Sequence, residues 1–74
     1  MKENYINSQK EDLYKEITSN QEKAKNYQRK FLIANAKNEI KKARILKIRQ
    51  LECLKRVKET EEKLYELLSK QKGN

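Results

Sequence analysis

Between Met1 and Lys72 the sequence contains neither proline nor glycine, and its one Gly is Gly73. Proline fixes φ and removes a backbone donor, while glycine supplies the positive φ of tight turns. A chain lacking both is poorly equipped for closely turned sheets and well equipped for long helices. Charged residues make up 41% of the chain and hydrophobic residues 35%, the balance of solvent-washed helices and coiled coils. The expected fold class is all-α. With 74 residues there is room for one domain, and a chain this short buries only about 60% of its unfolded surface even when compact. A homo-oligomer or another partner is therefore expected to complete the core.

Apolar periodicity divides the chain in two. Ser8, Gln9, Lys10 and Glu11 form a capping box, which places a helix start near Gln9 after a flexible segment at 1–8. From there Leu13, Ile17, Ala24, Tyr27, Phe31 and Ala34 follow alternating steps of four and three, broken only by Asn20. A second capping box, Ser19 to Glu22, lies within this seam, where a continuous helix is expected rather than a fresh start. A second seam runs through Ala43, Leu46, Gln50, Cys53, Val57, Thr60, Leu64 and Leu67.

Extending the first seam forward lands on Asn38, Lys41, Ile45, Ile48 and Glu52, so the registers do not join. The mismatch of about two residues is roughly 200° around a helix, and one straight helix would bury opposite faces at its two ends. A turn over 35–38 resolves this, because Asn35 and Asn38 tolerate left-handed backbone and can cap a helix. The expected architecture is a helical hairpin with arms at 9–34 and 39–71 and a tail at 72–74. The competing architecture is one continuous helix of about 62 residues, near 93 Å long. Leu54, Tyr65 and Leu68 lie beside the second seam, with Leu51 further round. So broad a stripe suits a bundle. Two hairpins forming an antiparallel four-helix dimer would bury it, with Leu46, Cys53, Val57, Leu64 and Leu67 at the oligomer interface.

The net charge of +8 is unevenly placed. Residues 1–22 carry three Lys against five acids and residues 59–74 carry three against four, whereas residues 23–58 carry thirteen Lys and Arg against Glu39 and Glu52, a net of +11. Lysine-rich helices are often merely solvated and paired with Glu one turn away. Here two acids cannot neutralise thirteen bases, and their mutual repulsion is relieved by an acidic partner. Lys37, Lys41, Arg44 and Lys55 project away from the second seam. Lys42, Arg49 and Arg56 recur at seven-residue spacing on one flank, and Lys47 lies on the other with Lys58. Positive edges extend over about 30 Å. Lys37, Lys41, Lys42, Arg44, Lys47, Arg49, Lys55 and Arg56 are thus the candidate contacts to phosphates of DNA or RNA. Tyr27 and Phe31 sit among basic residues and could stack on bases, but their place on the first seam assigns them to the core.

Other chemistries find little support. The chain has no His and a single Cys53 on the apolar seam, which leaves no metal-ligand set, no activated nucleophile and no expected cofactor. Glu59, Glu61, Glu62 and Glu66 lie near Lys63 and Lys70, as expected of surface ion pairs. There is no Gly-rich phosphate loop. The expectation is a non-enzymatic protein. No stretch approaches the roughly 20 apolar residues that span a bilayer, and Met1–Asn7 lacks the apolar core of a signal peptide, so a cytoplasmic location is expected. Two functions remain: a nucleic-acid-binding regulator or architectural factor, and an inhibitor or adaptor docking on an acidic protein surface or on the nucleic-acid-binding site of a larger machine.

Overall fold

A computed structural model of the protein describes the backbone of residues 2–72 and the side chains of residues 7–70. It contains two α-helices, α1 (Lys2–Ala36) and α2 (Ile40–Lys72), which fold back on each other as a hairpin. The molecule measures 55 × 16 × 12 Å along its principal axes. At 1.5 Å per residue, the 35 residues of α1 account for about 52 Å of that length. The long axis is therefore one helix long, and the single continuous helix is set aside.

The connection follows from one backbone conformation. Asn38 has φ 61°, the left-handed region in which Asn is better tolerated than other residues bearing a Cβ. Glu39 N–H donates to Ala34 C=O at 2.9 Å and Asn38 N–H to Asn35 C=O at 3.1 Å. These are the six-to-one and five-to-two bonds of a Schellman ending, which satisfy carbonyls that the last turn of α1 would otherwise leave open. Ala43 N–H then donates to Glu39 C=O at 2.9 Å, so Glu39 is the residue that caps the start of α2. The turn lies slightly later than the expected 35–38, since Asn35 and Ala36 stay helical. Both have dihedrals compatible with the helix until Asn38 ends it.

The other boundary differs more. The first helix begins at Lys2 rather than near Gln9, and the capping box at Ser8 lies inside it. No breaker stands between Lys2 and Ser8, so the helix simply continues back through that stretch. The second capping box is likewise interior, as expected. Of the tail expected at 72–74, Lys72 is helical and the other two residues lie outside those described.

Both seams are buried as the periodicity predicts. Ala24 and Ala34 of α1, and Ala43, Leu46, Cys53, Val57 and Leu64 of α2, form the buried apolar set. Leu13, Ile17, Tyr27 and Phe31 are half-buried beside it. Counting outward in equal steps from the turn sets Ala34 opposite Ala43, Phe31 opposite Leu46, Ala24 opposite Cys53 and Leu13 opposite Leu64. Small meets small at two layers, and the large side chains fill the layers between, which lets the helices approach closely. The cluster at the turn end joins Ala34, Ala43 and Leu46 with Tyr27 and Phe31 packed against it. These two aromatics are therefore core.

Polar residues interrupt the seam at Asn20, Gln50 and Thr60, all buried. Gln50 Nε2 donates to Gln28 Oε1 at 3.5 Å across the helices, and Thr60 Oγ1 donates to the Arg56 carbonyl at 2.8 Å. Among the described residues no buried side-chain nitrogen or oxygen lacks a partner, so these positions do not carry the full penalty of unpaired polar groups.

Leu46, Cys53, Val57 and Leu64, expected at an oligomer interface, are buried against α1 of the same chain, and Leu67 is half-buried at the far end of the seam. One chain suffices to cover them, because the fold-back brings a complementary seam within the molecule.

Candidate nucleic-acid interface

In an antiparallel helix pair each seam has two flanks, heptad positions e and g, and the g flanks of the two helices lie on the same side of the seam. On α1 the g flank carries Glu16, Lys23, Lys30 and Lys37; on α2 it carries Lys42, Arg49, Arg56 and Lys63. Facing g positions of an antiparallel pair are offset by two residues from the core layers, which sets Lys37 across from Lys42, Lys30 across from Arg49, and Lys23 across from Arg56. Glu16 then falls across from Lys63. A shallow groove lined by Lys30, Lys37, Lys42, Ile33 and Leu46 shows the first of these residues converging on one side. At the open end a second groove joins Gln9 with Lys63 and Lys70, in keeping with the same register.

Antiparallel pairs ordinarily match opposite charges across their flanks. Here three successive rungs are positive on both sides. Rungs are seven residues apart, about 10.5 Å, so the three span about 21 Å along the axis. Among the described residues the one ion pair is Lys42 Nζ to Glu39 Oε2 at 3.6 Å. Glu39 partly screens the rung nearest the turn; at the other two, Glu52 is the neighbouring acid, one turn from Arg49 and from Arg56 on α2, and neither rung has an acid across the groove.

The fold divides the eight cations singled out in the sequence, all of which are exposed. Lys37, Lys42, Arg49 and Arg56 belong to the rungs. Lys41 and Lys55 point away from the seam on the back of α2. Arg44 and Lys47 turn toward the opposite, e side. There Lys47 Nζ stands 5.4 Å from the centre of the Phe31 ring and 3.4 Å from Gln50 Oε1, both within its own hairpin. This cation–π contact gives Lys47 a packing role.

Lys23 and Lys30 were not among the sequence candidates, yet the fold adds them to the row. Their signal was present, because Lys23, Lys30 and Lys37 recur every seven residues just as Lys42, Arg49 and Arg56 do. Reading it required knowing that both rows end on one side.

The arrangement offers six long, flexible cations in two parallel lines over a shallow groove. Ammonium and guanidinium groups are hydrogen-bond donors whose charge suits phosphate or carboxylate oxygens. No group of side chains suited to a metal ion occurs among the described residues, nor is any helix there long and apolar enough to cross a membrane. The chain matches no protein-family model, no curated protein and no solved structure.

Proposed function

We propose that this protein is a non-enzymatic nucleic-acid-binding hairpin, a regulator or architectural factor that grips a phosphate backbone with the rungs Lys37–Lys42, Lys30–Arg49 and Lys23–Arg56. The observation that carries this reading is the like-charged pairing across the groove. It disfavours the isolated protein electrostatically and favours a bound polyanion. With six phosphates neutralised, the affinity for duplex DNA falls with a log–log salt slope of about −5. Titration of labelled duplex DNA and RNA at low and moderate salt tests it. Binding to either with such a slope is expected, and no binding of both at low salt overturns the reading.

A second reading is favoured by a specific feature. Ile33 and Ile45 are exposed on the same side as the rungs, and apolar side chains beside cations suit an acidic protein surface better than a phosphate backbone. An adaptor or inhibitor of this kind yields one stoichiometric protein partner in a pull-down that survives nuclease treatment.

A further inference from the structure

Once the seam is spent inside the hairpin, α2 still carries an unused apolar stripe. Ile40, Leu51, Leu54 and Tyr65 are 64%, 53%, 44% and 74% exposed. With Arg44, Lys47, Lys58, Glu61 and the half-buried Leu68 they occupy successive steps of four and three from Ile40 to Leu68. This is a second heptad seam on the e side of α2, away from the cationic rungs. The accessible surface of the chain is 6451 Å², against about 4,800 Å² for a compact monomer of this mass. The excess is larger than the roughly 800 Å² per partner that a stable interface covers.

The stripe is complementary to itself in antiparallel orientation. Set against a reversed copy with Leu51 on Leu54, it brings Ile40 onto Tyr65 and Arg44 onto Glu61. These pairings join the two kinds of heptad position that also face each other in the intrachain seam. The larger charge pattern agrees with this orientation. Among the described residues the fold gathers 7–22 and 59–70, each with two Lys against four acids and so net −2, at its open end and most of the +11 of residues 23–58 at its turn end. Antiparallel copies therefore set unlike ends together. One pairing is unfavourable, Lys47 on Lys58, which the two-fold likewise repeats, and Lys47 is already drawn back onto Phe31 and Gln50.

We infer that a second copy of this chain docks on this stripe, forming an antiparallel dimer through α2 with Leu51 and Leu54 at its centre. Each two-fold interface contains the Arg44–Glu61 pair twice, so one substitution alters both. Sedimentation equilibrium of the full chain without nucleic acid, from low to high micromolar concentration, tests the inference, with far-UV circular dichroism to follow helicity. A monomer–dimer equilibrium is expected. Arg44→Glu and Glu61→Arg should each weaken it about tenfold, and the two together should restore it to within about threefold of the parent. Leu54→Lys should weaken it by about a hundredfold. A chain monomeric at every concentration overturns the inference. So does a dimer indifferent to both single charge reversals, or a double reversal that fails to rescue. If a single variant loses helicity, rescue by the double variant remains decisive.

Discussion

Lys30→Glu should make the isolated protein more stable and its complex with nucleic acid weaker, because the like-charged rungs oppose one and support the other. Lys30 has three cations near it by register: Lys23 and Lys37 one heptad away on α1, and Arg49 across the groove. At about 10 Å a unit pair interacts by about 0.4 kcal/mol in water, reduced to about a third by 0.1 M salt. Reversal changes each of the three by two units, a gain of about 0.8 kcal/mol. For a domain of this size that raises the Tm by about 3–6 °C. Lys30→Gln should give about half the gain. Thermal melts by circular dichroism measure it, and the difference from the parent should shrink toward zero near 1 M salt. Fluorescence anisotropy on labelled duplex should show the opposite sign. Deleting one phosphate contact reduces affinity about eightfold at 0.1 M salt and flattens the salt slope by about 0.9. A destabilised Lys30→Glu variant, or one that binds as tightly as the parent, would refute the rungs as assembled here.

Three further outcomes probe the scaffold. Asn38→Gly should stabilise the hairpin by about 0.5–1 kcal/mol, since glycine has no Cβ to strain at positive φ, whereas Asn38→Val should cost about 1–2 kcal/mol; urea denaturation separates the two. Leu46→Ala should cost about 2–4 kcal/mol and, in a chain this small, leave it largely unfolded at room temperature by circular dichroism. Thr60→Val should be neutral to stabilising by about 1 kcal/mol in the same denaturation assay, because the Arg56 carbonyl keeps its helical N–H donor and the seam gains a methyl group.

Legible in the sequence were the helical character of the chain, its two apolar seams out of phase by about two residues, and the asparagines between them at which the backbone could turn. These follow from local stereochemistry and a fixed helical period, and Asn38, Leu46 and Val57 stand where that logic puts them. The start of α1 was misread because a capping box favours a helix start without enforcing one when nothing upstream breaks the helix. Leu46, Cys53, Val57 and Leu64 were legible as buried, but what buries them was not, since a seam reads the same whether its partner is the other arm or another chain. The folded hairpin shows that the other arm covers them, and with that the lateral arrangement of the charges. A lysine repeating every seven residues on a lone helix has a row but no side. Folding back at Asn38 set the row of Lys23, Lys30 and Lys37 beside that of Lys42, Arg49 and Arg56, and turned Arg44 and Lys47 away.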